Sequence, residues 1–309
     1  MSADTTLGFW GIPLAVLGGA IRVSTPFLFV SLGECITERS GRVNLGLEGT
    51  LVMGAMSGYG FSYLTGSPWL GVLGAGVIGS FLGAMHGFIC GKPRVNDIAL
   101  GIAMMLLGVG LAFFLGKPLI QPTAPRLGAI PFGFFAHTAQ LRSALNVNVL
   151  FVLGVLLAPA LHYGLQNTRW GLVVRTVGES AEAARALGYD VNRVRLLATA
   201  AGGFLAGVGG SFLSLYYPGS WNEGLSSGQG LMAVALVIFA RWSPKRCLFA
   251  SLLFGGAGAI GPALQSVGIT TGYYLWNAAP YVLTLAILVA SSSATRASVD
   301  MPAELGVAR

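Results

Sequence analysis

Charge is scarce in this chain of 309 residues: Asp, Glu, Lys and Arg together make up 9% of it, against about 25% in a soluble domain. That deficit excludes an ordinary water-soluble fold. Histidine and cysteine are also rare, at three each. Cys35, Cys90 and Cys247 are odd in number, form no CxxC and sit near the ends of apolar runs, so they read as reduced packing residues rather than a disulfide framework. His86, His137 and His162 are scattered and read as hydrogen-bonded or interfacial side chains. The chain has no HExxH, no GxSxG and no GxxxxGK[ST] loop, so no catalytic constellation stands out and nothing suggests that it hydrolyses ATP by itself.

What fills the chain instead is apolar. Hydrophobic residues make up 54% and the mean hydropathy is +0.73. The 46 glycines suit helices that pack through small residues, as at Gly203 and Gly207 in AGGFLAGVGGS. The fold class is therefore all-α, a polytopic transmembrane bundle forming one domain over 1–309. A net charge of +7 would suggest nucleic acid in a soluble chain. Here the bases fall in short loops between apolar runs and report topology, so the expected surroundings are lipid and no nucleic acid.

A helical crossing needs about 20 apolar residues. Residues 43–64, 69–91, 97–116, 148–165, 196–216, 247–267 and 273–290 meet that length. Residues 7–38 are interrupted by Arg22 and Pro26 and read as two short or tilted spans, while 230–240 is too short for a full crossing and reads as a short or broken helix. The expectation is about 8 to 10 spanning segments, counted as ten with both termini inside. MSADTT lacks the basic region of a secretory signal, so the first apolar run is expected to stay in the mature protein. The positive-inside rule puts Arg39 and Arg42, Lys92 and Arg94, Arg241 with Lys245 and Arg246, and the segment 296–309 in the cytoplasm. Of the outer loops only 117–147 carries bases, Lys117, Arg126 and Arg142.

One long polar island breaks the pattern on the cytoplasmic side. Residues 168–195 hold five of the eighteen Lys and Arg and three of the eleven acids around an Ala-rich core, SAEAARALG, that suits a short surface helix. Within the apolar runs the polar residues are few. Glu34 and Glu38 share a helix face, and Glu48 lies four residues after Asn44. A charged group at the centre of a span costs about 2.5 to 3.5 kcal/mol, so such residues face a cavity or a partner. Two readings stay open for these acids: the polar lining of a solute path, or interhelical hydrogen bonds and salt bridges with Arg39 or Arg42. Asn96 and Asp97 open a span and suit capping, with solute contact the alternative. Tyr216, Tyr217, Trp221, Tyr273, Tyr274 and Trp276 read as an interfacial aromatic belt or as a stacking surface for a ring-bearing solute. GRVNLGLEGTLVMGA and GQGLMAVALVIFARW weakly echo one another, as broken helices of two halves do in transporters.

ERSGRVNLGLEGTLVMGA at 38–55 resembles the Glu-x-x-Gly-x-x-Asn-x-Gly-x-Glu-Gly signature of the permease subunits of bacterial ABC importers for nucleosides and simple sugars. PRVNDIALGIAMMLL, TVGESAEAARALGYDVNRVR and SWNEGLSSGQGLMAVALVIFARWSP agree with that family in order and spacing, so the likeness spans most of residues 24–292. The chain departs at Ala240, where the family has glycine, and at Arg42, where it has a small aliphatic; Ala240 puts a tight backbone approach there in doubt.

The resemblance implies a type II importer bundle in the bacterial inner membrane, paired with a second, different permease subunit. It further implies a cytoplasmic ATPase that binds the ATP, so that the chain needs no cofactor of its own and is no enzyme, and an external binding protein or lipoprotein. The loop 168–195 would then hold the coupling helix, with Glu179, Ala183, Ala184, Arg185 and Gly188 as its ATPase contacts. Asn44, Glu48, Asn96 and Trp221 are the candidates for the translocation path. The competing readings are an ion-coupled secondary transporter with Glu48 as relay and a membrane enzyme; the sequence offers no paired acid and base or metal cluster for the latter.

Overall fold

A computed structural model describes residues 11–131, 146–266, 269, 271–272, 275–276, 278–291 and 300–306. His137, Arg142, Tyr273, Tyr274 and Arg296 lie outside these. The helices are α1 (Gly11–Arg39), α2 (Leu47–Thr65), α3 (Pro68–Cys90), α4 (Asp97–Gly116), α5 (Val149–Asn167), α6 (Arg169–Glu179), α7 (Ala181–Ala186), α8 (Val191–Leu215), α9 (Gln229–Phe239), α10 (Pro244–Ser266) and α11 (Ala279–Ser291). A two-stranded antiparallel hairpin pairs β1 (Ala129–Pro131) with β2 (Asn146–Asn148). Six helices, α1, α3, α4, α5, α8 and α10, are long and apolar enough to cross a membrane. The 19-residue α2 is not among them, because Glu48, Thr50, Ser57 and Ser62 dilute its apolar content.

The segment 7–38 does not form two short spans. From Gly11 it is one helix of 29 residues that carries Pro26 inside it. Proline removes one N–H and ordinarily breaks an exposed helix. Within a bundle, neighbouring helices and hydroxyl side chains make such a proline tolerable; the carbonyl that loses its helical donor is that of Arg22, and beside it Ser24 Oγ and Thr25 Oγ1 donate to the Ile21 carbonyl, at 3.2 and 2.9 Å. Arg22 is accommodated over the ring of Tyr217, 5.9 Å from its centroid. The ten expected segments thus become nine among the described residues. The short segment is as expected: α9 has 11 residues.

The bundle is built around α8, which packs against α1, α2 and α3. A ridge of glycines sets those contacts. A Cβ at Gly203 would stand 2.2 Å from the Gly79 carbonyl oxygen, at Gly207 2.1 Å from that of Ala75, and at Gly210 2.1 Å from that of Leu51. The helices therefore touch backbone to backbone, and the Gly203/Gly207 pair lies in the α3–α8 contact. Around this ridge Phe27, Leu28, Leu32, Leu51, Leu213 and Phe254 fill the interior. On the outside, Leu73, Val77 and Phe81 form an exposed stripe along α3, and Ile98, Ile102 and Leu106 one along α4, at the spacing of one helix face. Cys35, Cys90 and Cys247 are buried and form no disulfide among the described residues.

Candidate functional site

The signature segment is where the chain departs from regular helix inside the bundle. After α1 ends at Arg39, Gly41 takes φ +82° and residues 42–46 run buried or half-buried without helical bonding until α2 begins at Leu47. Backbone of this kind survives at membrane depth only under a cover of protein. Several of its polar groups are bonded to the helices around it. Glu34 Oε1 accepts the Asn44 N–H at 2.7 Å, and Asn44 Oδ1 accepts the Gly46 N–H at 2.9 Å. Arg42 donates to Asp97 and to the Cys90 carbonyl. His86 Nε2 lies 3.2 Å from the Val43 carbonyl oxygen.

The two signature acids hold the two ends of α9. Glu48 accepts from Ser226 Oγ and from the backbone N–H groups of Gly228 (3.1 Å) and Gly230 (2.7 Å). These are donors that a helix start leaves without partners, and they gain most from a negatively charged neighbour. Contact is so close that a Cβ at Gly230 would stand 2.6 Å from Glu48 Cα. At the other end Glu38 accepts the Trp242 indole N–H, and Arg39 Nε donates to the Trp242 carbonyl at 2.8 Å. The segments that echo one another in sequence thus meet at the beginnings of α2 and α9. The expected salt bridges from these acids to Arg39 or Arg42 are absent among the described residues, since both guanidinium groups are directed elsewhere. Alanine at 240 fits: it has φ −71° and needs no glycine, whereas Arg241 and Trp242 after it take φ +49° and +53°. Positive φ in bulky residues carries strain that the surroundings must hold, and the two-point grip on Trp242 does so.

The four path candidates are not gathered in one place. Asn44 and Glu48 are buried in the contacts above. Asn96 is exposed and caps α4, its Oδ1 accepting the N–H groups of Ile98 (3.0 Å) and Ala99 (2.9 Å). Trp221 is buried rather than belt-forming, and its indole N–H bonds the Gly116 carbonyl at 2.9 Å. Asn96 and Trp221 therefore mark opposite ends of α4, whose 20 residues span about 30 Å. Two cavities of about 630 Å³ each flank the bundle, one against α2 and residues 115–122, the other between α1, α3, α5 and α8. Their walls are almost wholly apolar, which suits lipid chains better than a hydroxyl-rich solute.

The polar island folds into a capped two-helix unit. Thr168 Oγ1 accepts the Gly171 N–H (3.1 Å) to start α6, Ser180 Oγ the Ala183 N–H (3.1 Å) to start α7, and Asp190 Oδ1 the Arg193 N–H (3.1 Å) to start α8. Such caps contribute about 0.5 to 2 kcal/mol each. Gly188, at φ +85°, turns the chain between α7 and α8. Val177, Ala181 and Ala184 make a small separate core with Val191 at the start of α8. Of the five coupling candidates Glu179, Ala183, Arg185 and Gly188 are exposed, but Ala184 is fully buried in that core. Ala184 thus supports the surface without forming it, as the Val177, Ala181, Ala184 stripe of helical spacing would have told. Leu187, 67% exposed, and Tyr189 add an apolar edge that composition had hidden.

The unit is seated on the bundle at two points. A Cβ at Gly178 would meet the Arg39 carbonyl oxygen at 2.2 Å, so α6 lies directly on the end of α1. Arg195 of α8 donates to the Ser40 carbonyl (3.0 Å) and pairs with Glu304 at 2.9 Å. Arg195 was legible only as one more basic residue, Ser226 and Trp242 only as members of a family-like block, and Glu304 gave no local signal.

Comparison with known proteins agrees with this architecture. Residues 16–292 match the family described as branched-chain amino acid transport system / permease component. A Haloferax volcanii protein named as a glucose ABC transporter permease is 34% identical over 259 residues, covering 82% of this chain and 79% of that protein. A nucleoside ABC transporter permease protein of Lactococcus lactis is 30% identical over 308 residues, covering 88% of this chain and 90% of its own. A guanosine ABC transporter permease protein of Bacillus subtilis is 30% identical over 290 residues, covering 86% and 88%. With the matched segment taking in all the spanning helices, the chain belongs to the branched-chain amino acid transport system permease family and is a multi-pass membrane permease.

Proposed function

We propose that this permease is one of two membrane subunits of an ATP-binding-cassette importer and that it passes a nucleoside or simple sugar through the inner membrane by alternating access. ABC permeases work with an ATPase and a binding protein. Here the second membrane subunit is read as a different sister chain, and the binding protein as an external protein or lipoprotein. ATP is bound by the ATPase, and the permease contributes a path rather than a reaction. The observation that carries this reading is the α6–α7 unit: separately capped, exposed at Glu179, Ala183, Arg185 and Gly188, and resting on the ends of α1 and α8. A push on that surface is delivered to the two helices at the centre of the bundle. The relatives named for nucleosides, guanosine and glucose support the solute class. Against the ion-coupled alternative, both oxygens of Glu48 are taken up by α9, which leaves it poorly arranged as a relay.

Reversing charge on the exposed face tests the reading. Glu179→Arg and Arg185→Glu are each expected to lower uptake per ATP hydrolysed about fivefold or more, the lower end of couplings between distant sites, while membrane insertion persists. Normal uptake in both variants would sink the proposal. The solute is named by thermal shift of the partner binding protein against a panel including guanosine and glucose.

A further inference from the structure

The chain beyond residue 292 lies outside the family match, yet residues 300–306 return to the base of the α6–α7 unit. Met301 and Leu305 are partly buried against the main hydrophobic core. Glu304 is placed between three elements. Its Oε1 accepts the N–H of Ala181, the first residue of α7, at 2.9 Å. Its Oε2 pairs with Arg195 of α8 at 2.9 Å, side chains 14% and 4% exposed. It also covers the turn after α1: a Cβ at Gly41 would stand 2.8 Å from Glu304 Cβ and 3.0 Å from Arg195 Nη2. A second attachment is weaker, since Asp300 faces Arg246 at 3.4 Å and Arg241 at 4.0 Å with all three side chains well exposed.

Alone, α7 is not stiff. It has six residues, far below the ~12 to 15 at which an isolated helix becomes even marginal in water, and it adds only Ala181 and Ala184 to the small core it shares with Val177 and Val191. A mechanical link made only of that element would bend at Ser180 and at the Leu187–Gly188 turn before passing force inward. A carboxylate that bonds the start of α7 and the guanidinium of α8 at once removes that freedom. Because the pair is largely shielded from water, it is screened far less than the exposed Asp300 contacts, which contribute little.

We infer that Glu304 is a positioning residue for energy coupling: the C-terminal segment straps α7 to α8 and to the end of α1, so that displacement of the exposed α7 face moves the central helices as one body. The inference rests on the function proposed above. It separates the two attachments of the tail, assigning the effect to Glu304 and none to Asp300.

The experiment uses the full transporter, both membrane subunits with ATPase and binding protein, in proteoliposomes, and reads solute moved per ATP hydrolysed with complex content measured by size exclusion. Glu304→Ala is expected to lower that ratio about fivefold or more with the complex intact. Glu304→Gln, which keeps an acceptor for Ala181, is expected to fall between it and wild type, and Asp300→Ala to stay at the wild-type ratio. A residue that serves folding alone would change the amount of complex and leave the ratio untouched. A wild-type ratio in Glu304→Ala, or an equal loss in Asp300→Ala, overturns the inference. If Glu304→Ala fails to assemble, Glu304→Gln is read in its place, and a wild-type ratio there overturns it. Arg185→Glu in the same assay separates the two levels: loss there with normal coupling in Glu304→Ala removes the strap and leaves the function, whereas normal coupling in both removes the function.

Discussion

Replacing Glu48 by alanine is expected to destabilise the permease by about 3 kcal/mol or more, since several buried donors would lose their shared acceptor at about 1 to 3 kcal/mol each, and to abolish transport. The hydroxyl of Ser226 and the N–H groups of Gly228 and Gly230 all converge on this one carboxylate. Glu48 is only 7% exposed, so water does not replace it, and each buried donor left without a partner costs about 1 to 3 kcal/mol. The consequence is mechanical as well: α9 is a short helix whose start lies against α2, and without the cap the donors at that start lose the acceptor that ties them to α2. Glu48→Gln retains one acceptor oxygen but turns an NH2 group toward donors, so an intermediate loss is expected. Thermal unfolding of the purified permease in detergent, followed by fluorescence-detected size exclusion, checks the order wild type, Gln, Ala. An alanine variant as stable as wild type would contradict the assigned role.

The second large effect is expected at Gly207, where valine should prevent the bundle from closing. The Cβ would stand 2.1 Å from the Ala75 carbonyl oxygen and 3.2 Å from Gly79 Cα. Both are backbone atoms, so no side chain can turn aside and the helices α3 and α8 must part. Overpacking costs about 1 to 3 kcal/mol where side chains can adjust, and more is expected here because separation also disrupts the Gly79 and Gly203 contacts. Gly110 serves as the control: it lies in α4 with nothing within 4 Å of its Cβ, so Gly110→Ala is expected to leave the yield of monodisperse protein unchanged. Equal yields from Gly207→Val and Gly110→Ala would refute the backbone contact.

These expectations draw on different amounts of what the sequence could tell. Scarce charge, glycine content and the lengths of the apolar runs were enough for the membrane bundle and for the incomplete crossing at α9, because each is a property of a local stretch. The cap at Asn96 is local too. The single helix α1 was not legible, because proline's cost depends on what surrounds the disturbed turn and not on the proline itself. Nor was the job of the signature acids: Glu48 meets partners 178 to 182 positions away, and Glu38 meets Trp242 across 204. Composition could mark these acids as too costly to be idle, yet only the fold says that they grip one helix. Glu304 lies in a tail with no apolar pattern to flag it, and its partner is 109 positions away.

The polar island itself was visible as a break in hydropathy; of its five contact candidates Glu179, Ala183, Arg185 and Gly188 lie exposed, and Ala184 is buried on a stripe too short to stand out. What the island does is a claim about transmission, and stability alone does not test it. The most direct measurement is uptake of the solute into proteoliposomes containing the permease pair and binding protein, with and without the ATPase and ATP, in the presence and absence of an uncoupler. Uptake that requires ATPase and ATP and is indifferent to the uncoupler is the predicted result. Uptake that persists without the ATPase and collapses with the uncoupler would contradict the account.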